Sequence, residues 1–101
     1  MFIYNVTAKL DKAIANDWLA WMRTEHMPEV LGTKCFHEAN ILKLLEVDDT
    51  DGPTYAAQYV TSSRHLYDQY ITNHAGTMRQ KAFAKWGNQF IAFRSLMQVV
   101  N

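Results

Sequence analysis

The sequence has little of several features, and each shortage excludes a class of protein. A single cysteine, Cys35, rules out an internal disulfide framework in this chain of 101 residues. No apolar run approaches the roughly 20 residues that a membrane-spanning helix needs. The first five residues, MFIYN, lack the basic and long apolar segments of a secretory signal. We therefore expect one cytoplasmic domain, residues 1–101, that binds no membrane.

Net charge is also absent, but the charged residues are unevenly distributed. The sequence has ten basic and ten acidic side chains, and its pI is near 6.9. No acidic side chain follows Asp68, whereas Arg79, Lys81, Lys85 and Arg94 do. A basic segment can bind phosphate, but nucleic-acid-binding domains are usually clearly basic overall. Solvated helix faces plus one strand arginine are the simpler interpretation.

Alternation and helical spacing predict six elements in the order βαββαβ. The predicted strands are 2–10, 35–47, 54–61 and 90–100, and the predicted helices are 12–27 and a second helix in two pieces, 64–74 and 78–86. Asp11 and the pair Ser62 and Ser63 are placed as N-caps. Pro28 ends or kinks the first helix, which one further turn extends to Gly32.

The remaining turn and helix-end signals lie between the later elements. The segment DDTDGP, residues 48–53, is the strongest turn signal and makes 35–61 a hairpin with a wide loop. Gly76 is expected to interrupt the second helix, Thr77 to cap its second piece and Gly87 to end it. The predicted fold class is α+β: a ferredoxin-like four-stranded antiparallel sheet with both helices on one face and the first and third strands in the middle.

Each predicted strand has one face almost free of strongly polar groups, which we place under the helices. That face consists of Phe2, Tyr4, Val6, Ala8, Cys35, Ala39, Ile41, Leu45, Tyr55, Ala57, Tyr59, Ile91, Phe93, Met97 and Val99. The opposite face, called here the helix-free face, carries the apolar residues Ile3, Phe36, Leu42, Leu44, Val60, Phe90 and Leu96. Left in water, these would expose on the order of several hundred Å² of apolar surface. A second copy of the chain is the simplest cover, which predicts a homodimeric α+β barrel.

Polar side chains on the same face would then point between the two sheets. They are Asn5, Thr7, Glu38, Asn40, Gln58 and Arg94. Buried polar groups need partners, so these residues bind one another, hold water or line a pocket for a small hydrophobic or anionic ligand. For Arg94 a clamp on a carboxylate and an ion pair across the dimer, for example with Glu38, are equally compatible with the pattern.

Several segments resemble an uncharacterised bacterial family, the domain of unknown function 4286. They are FIYNVT, WLAWMRTEHMPEVL, CF, TYAAQY, HAGTMR and FIAFRSLMQVV, and the run W-x-x-W-M-x-x-x-H-x-P is the most specific of them. The resemblance covers essentially the whole chain. It implies a ferredoxin-like domain that assembles as a dimeric α+β barrel, and it implies no established activity or catalytic residue.

Histidines provide the main candidates for chemistry. His26 lies in the last turn of the first helix, where it would either cap the final carbonyls or act as an acid or base. The predicted topology places His26, His37 and His65 at one end of the sheet, where a zinc site is conceivable, although their spacing is not a known ligand pattern. His74 lies at the other end. We therefore predict no metal site and no cofactor.

Other residue types favour structural roles. The stripe of Trp18, Trp21 and Met22 is typical of core, with an aromatic ligand pocket as the alternative. Cys35 has no evident basic partner and is expected to be a buried, inert thiol. The sequence also lacks the glycine-rich, HExxH and GxSxG motifs of nucleotide, zinc and hydrolase sites.

Four functions remain open on the sequence. The first is a homodimer that binds a small molecule between its sheets, and the second is a small enzyme without a strong cofactor requirement, monooxygenase-like or isomerase-like, with His26 as acid or base and Arg94 as anion clamp. The third, an RNA-recognition module, is disfavoured because Ala56 and Gln58 stand where stacking aromatics are needed. The fourth is a dimer whose interior merely packs.

Overall fold

The chain folds into one antiparallel sheet of four strands with its helices on one face. The computed structural model describes residues 1–101. Its elements are β1 Phe2–Leu10, α1 Ala15–Trp21, α2 Met27–Gly32, β2 Glu38–Lys43, β3 Thr54–Thr61, α3 Arg64–Asn73, α4 Ala75–Trp86 and β4 Phe90–Gln98. The strand order is β2-β3-β1-β4, with the first and third strands in the middle. The predicted ferredoxin-like α+β fold is therefore confirmed.

The helix starts and stops follow largely from local sequence. The Asp11 carboxylate accepts a hydrogen bond from the Ala13 N–H at 2.9 Å, and the Ser63 hydroxyl accepts one from the Leu66 N–H at 3.3 Å. Both residues are the predicted N-caps. Gly87 has φ of +57° just after α4, and its N–H donates to the carbonyl of Phe83 at 2.7 Å, so it ends the helix as expected.

The further turn predicted beyond Pro28, as far as Gly32, is present, because a π-helical turn at Met22–His26 joins α1 to α2. Two other boundary predictions were wrong. The second helix breaks at His74, whose backbone leaves the helical region, so Gly76 and Thr77 lie inside α4. The strand β2 spans six residues rather than the expected 35–47, and Leu45 beyond its end is 76% exposed.

The core lies between the sheet and the helices. Tyr4, Ala8, Ala57 and Tyr59 share one face of β1 and β3, and they belong to the same buried cluster as Trp18 and Trp21 of α1, Val30 of α2, Tyr70 of α3 and Met78 of α4. The strand parities predicted for β1 and β3 are thus correct. Helices and sheet bury this apolar face against each other, which is the main favourable term in the fold.

The face assignment of β4 was wrong. In the ladder between β1 and β4, Val6 lies opposite Arg94 and Tyr4 lies opposite Leu96. Directly opposed residues of antiparallel strands project to the same side. Phe90, Ala92, Arg94 and Leu96 therefore face the helices, and Ile91, Phe93 and Met97 lie on the helix-free face. Both parities of this strand are largely apolar. Arg94 is the charged residue in one of them, so the pattern favoured the other parity as the buried face.

Phe36 was also placed on the wrong side of the sheet. It precedes β2 in an irregular segment, is 4% exposed and packs in the core, with its ring centroid 6.0 Å from Tyr4, 5.6 Å from Tyr59 and 5.0 Å from Tyr70. The neighbouring Cys35 is buried in the same cluster. Because the segment is not a strand, adjacent side chains need not alternate between faces.

Candidate functional site

A cavity lies between the helix side of the sheet and the helices α1, α3 and α4. Sixteen residues line it, and thirteen of them are hydrophobic. The interior of the cavity measures about 50 Å³, and the figure rises to about 540 Å³ only when the open solvent at its mouth is included. An apolar cavity with a few convergent polar groups is the usual form of a small-molecule site. This cavity is the candidate functional site.

Tyrosines form the sheet side and one helix side of the cavity. The ring of Tyr4 lies 6.1 Å from that of Tyr59 and 5.8 Å from that of Tyr70, measured between centroids. Burial raises the pKa of both Tyr59 and Tyr70 well above the ordinary value of 10. These phenols therefore keep their protons at neutral pH and remain hydrogen-bond donors.

His26 projects into the cavity from the π-helical turn. Its imidazole is half-buried, and its Nδ1 atom is fully buried without any hydrogen-bond partner. Burial lowers the pKa of His26, and the positive charges of Lys81 and Arg94 lower it further against the opposing effect of Glu29. The imidazole is thus neutral at pH 7. A neutral imidazole has one ring nitrogen able to accept a proton.

The π-helical turn that carries His26 follows from the position of Pro28. Proline has no N–H, and in a regular α-helix its ring would collide with the carbonyl four residues earlier, that of Thr24. Here the N–H of Met27 donates instead to the carbonyl of Met22, five residues back. The wider turn relieves the collision and brings residues five apart onto one side, so Trp21 and His26 both line the cavity.

Two arginines stand at the same cavity without a carboxylate partner. Arg79 comes from α4 and Arg94 from β4, and both stay largely exposed, which places them at the mouth. An Nη2 atom of Arg79 donates to the hydroxyl of Tyr4 at 3.4 Å. The chain's two ion pairs lie elsewhere, between Arg64 and Asp68 and between Lys81 and Glu29. The cavity thus combines an apolar interior with an uncompensated positive mouth.

The model of the family described as Domain of unknown function (DUF4286) matches residues 1–100. The chain belongs to the DUF4286 family. The resemblance noted in the sequence is therefore confirmed. No curated protein matches this DUF4286 chain in sequence.

Solved structures similar to the DUF4286 chain share its fold over nearly the whole length. A dimeric ferredoxin-like protein from an uncultured marine organism has 13% identity and a TM-score of 0.71, covering 99% of this chain and 95% of its own. A variant of SnoaB, a cofactor-independent oxygenase from Streptomyces nogalater, has 10% identity and a TM-score of 0.69, covering 99% and 94%. An ethyl tert-butyl ether d (ethd) family protein from Bacillus halodurans has 8% identity and a TM-score of 0.65, covering 99% and 100%. At such identities these similarities establish the fold alone.

The other residues predicted to bind a ligand lie on the helix-free face, away from the cavity. Asn40, Gln58 and Asn5 stand opposite one another across β2, β3 and β1. The Gln58 amide donates to the Asn5 Oδ1 at 3.2 Å, the Asn5 amide donates to the Thr7 hydroxyl at 2.9 Å, and the Asn40 amide donates to the Glu38 carboxylate at 3.0 Å. Arg94 lies on the helix side of the sheet, so within one subunit it contacts none of these residues, Glu38 included.

The remaining histidines and the cysteine do not extend the site. His37 and His65 are exposed, and no three histidine, cysteine, aspartate or glutamate side chains form a group able to hold a metal ion. The structure does not bring His26, His37 and His65 together as such a group. Cys35 is buried and lies 3.7 Å from the Thr33 carbonyl. No helix of the structure is long and apolar enough to cross a membrane.

The sequence interpretation did not identify Arg79, Tyr59 and Tyr70 as site residues. Arg79 was treated as part of a solvated helix face, and the two tyrosines as core. One available signal was the absence of acidic side chains after Asp68, because it leaves the bases of α4 and β4 without local partners. That signal identifies basic side chains without acidic partners. It does not show that α4 and β4 bring two of them to the same cavity.

Proposed function

We propose that this DUF4286 protein binds a small, largely apolar molecule in the cavity between its sheet and its helices, and that His26 hydrogen-bonds to that molecule. The observation that carries the proposal is the buried, unpartnered Nδ1 of His26, a residue that lines a mostly hydrophobic cavity. A buried polar atom without a partner costs about 1–3 kcal/mol in desolvation. A ligand that supplies the missing partner recovers part of that cost.

The proposed site replaces the space between two sheets as the position of the ligand. The polar groups on the helix-free face already bond to one another, as the Gln58–Asn5–Thr7 chain shows. These groups already have hydrogen-bond partners within the chain, whereas the Nδ1 of His26 has none. The indoles and thioethers around His26 add the apolar contact area that a hydrophobic molecule requires.

A second candidate function is an enzyme that uses no cofactor and in which His26 acts as the base. The neutral state of the imidazole supports it, since a base must be unprotonated at the working pH. In this reaction the imidazole nitrogen would take a proton from an acidic O–H or C–H of the ligand, leaving an imidazolium and a ligand anion. Arg94 lines the same cavity, so its positive charge would stabilise that anion. The fold shared with the oxygenase SnoaB is consistent with such chemistry.

The assembly we propose is a homodimer formed through the helix-free face. Ile91, Phe93 and Met97 on that face of β4 are 62%, 68% and 40% exposed, and Leu42 of β2 is 46% exposed. The chain has no further layer to cover them. A second copy presents the same surface, and a twofold axis places the two apolar faces against each other.

Filling the cavity tests the proposed site. A panel of small aromatic compounds is screened for an increase in the melting temperature of the protein, since a ligand that binds only the folded state raises it. Ala82 on α4 lines the cavity and Ala84 on the same helix does not, so Ala82→Phe is the test variant and Ala84→Phe the control. We expect binding by the wild type and by Ala84→Phe, and loss of at least about tenfold in affinity in Ala82→Phe.

Two results would contradict the proposal. One is a folded Ala82→Phe variant that binds every hit as well as the wild type does. The other is a wild type that no compound in the panel stabilises. For the catalytic alternative, a turnover rate that His26→Gln leaves unchanged would exclude His26 as the base.

A further inference from the structure

We infer that the ligand of the cavity carries an anionic group, a carboxylate or a similar oxyanion, which Arg79 and Arg94 bind at the cavity mouth. This inference rests on the proposed function. It adds the charge of the ligand and its orientation: the charged end lies at the mouth and the apolar body extends toward Trp18 and Met22.

The first support is the complete lack of acidic groups around the cavity. Its lining contains no aspartate or glutamate, and its ionisable side chains other than tyrosines are His26, Arg79 and Arg94. Neither arginine forms an ion pair. Two like charges at the mouth of one cavity repel each other and attract counter-charge, so an anion between them is favoured.

The second support is that the elements carrying the two arginines offer no carboxylate. No acidic side chain follows Asp68, so the last turns of α3 and all of α4 and β4 have none. Glu29 on α2 is an acid whose charge reaches His26, and Lys81 holds it in an ion pair. Arg79 and Arg94 therefore have no acidic partner on their own elements.

The third support is that both arginines approach the same part of β1. Arg79 donates to the Tyr4 hydroxyl at 3.4 Å, and Arg94 lies opposite Val6, two residues along β1 from Tyr4. Both side chains line the cavity, although they come from different elements. The other N–H groups of the Arg79 guanidinium remain available to a planar oxyanion.

The experiment compares two ligands of the same shape that differ in charge, 1-naphthoate and 1-naphthamide. Binding to the full-length protein is measured by titration calorimetry at low and high salt. We expect the wild type to bind naphthoate about tenfold more tightly than naphthamide, the size typical of one charge-assisted contact. Added salt should reduce this preference, because the arginines are exposed at the mouth.

Variants then assign the preference to these side chains. Arg79→Gln and Arg94→Gln should each reduce the naphthoate preference several-fold and leave naphthamide affinity within about twofold, which also shows that the cavity is still folded. Arg64→Gln is the matched control, since Arg64 lies on α3 in an exposed ion pair with Asp68 and does not line the cavity. It should change neither affinity.

The outcomes separate this inference from the proposed function. Equal binding of both compounds, unaffected by Arg79→Gln and Arg94→Gln, overturns the anion site and leaves the apolar cavity standing. If Arg64→Gln reduces the naphthoate preference as much as Arg79→Gln and Arg94→Gln do, the anion site is also overturned. The preference would then come from the overall charge of the protein. If inorganic phosphate displaces naphthoate at the same concentration, the apolar body contributes nothing and the inferred orientation is wrong. Binding of neither compound to the wild type at millimolar concentration overturns both proposals.

Discussion

The imidazole of His26 lies nearly parallel to the indole of Trp21, with ring centroids 4.6 Å apart and an interplanar angle of 24°. The two residues are five positions apart, and the π-helical turn is what brings them onto one side. At the end of a regular helix, a histidine in this position would cap the last carbonyls. Here the helical path continues, and the imidazole turns into the cavity instead.

The lowered pKa of His26 predicts a loss of stability in mild acid. In the unfolded chain His26 takes up a proton near pH 6.5, and in the folded chain only at lower pH. Between these two values the unfolded state binds more protons, so the free energy of unfolding falls as the pH drops below about 6.5 and levels off below the folded pKa. Urea unfolding between about pH 8 and about pH 5 measures this.

Two variants isolate the contribution of His26 to that curve. His26→Gln removes the titrating group and should flatten the part of the curve just below pH 6.5, whereas His65→Gln, at an exposed position, should leave it as in the wild type. A His26→Gln curve that parallels the wild-type curve would show that the imidazole is not held neutral by burial.

The helix-free face predicts a dimer that one charge disrupts. Phe93→Glu places a carboxylate among the apolar residues of the proposed interface, where desolvation is costly, and should raise the dimer dissociation constant by at least about tenfold. Phe83→Glu is a close control, because Phe83 on α4 is 66% exposed and Phe93 is 68% exposed. Sedimentation velocity over a dilution series distinguishes dimer from monomer. A wild-type protein that sediments only as an 11.7 kDa species at micromolar concentration would refute the assembly.

Gly52 should not tolerate a side chain. Its φ is +151°, and a Cβ atom there would lie 1.9 Å from the carbonyl oxygen of Leu10 and 2.8 Å from the nitrogen of Lys12. Backbone strain and overpacking each cost about 1–3 kcal/mol, so Gly52→Ala should destabilise the protein by about 3 kcal/mol in urea unfolding. Gly76→Ala, in α4 with open space around it, should instead stabilise the protein by about 0.5–1 kcal/mol. Equal effects of the two substitutions would show that the loop does not pack against the end of β1 as described.

The hydrogen-bonded chain on the helix-free face predicts unequal effects of two asparagines. Asn5 is 9% exposed and bonds to both Gln58 and Thr7, so Asn5→Ala should cost about 1–3 kcal/mol by leaving both partners unsatisfied. Asn40 is exposed in the single subunit and bonds only to Glu38, so Asn40→Ala should change the free energy of unfolding of the monomer by less than about 0.5 kcal/mol. A loss in Asn40→Ala as large as that in Asn5→Ala would contradict this account.

Part of the candidate site could be anticipated from the sequence and part could not. His26 was singled out because Pro28 follows it closely, and Arg94 because a mid-strand arginine needs a partner. The cavity that joins them was not foreseen, because Arg94 was placed on the other side of the sheet. Arg79 and Tyr70 were missed, because nothing in their local patterns distinguishes a cavity wall from a solvated or packed helix face.

The sequence by itself determined the order of the elements, the caps at Asp11 and Ser63, the helix end at Gly87 and the buried faces of β1 and β3. These depend on contacts within a few residues and on alternation in central strands, where one parity is clearly more apolar. Only the tertiary structure decided which face of β4 meets the helices, because both of its parities are apolar and pairing with β1 sets the register. That register places Arg94 at the cavity that His26 also lines, and it leaves Phe93 on the helix-free face.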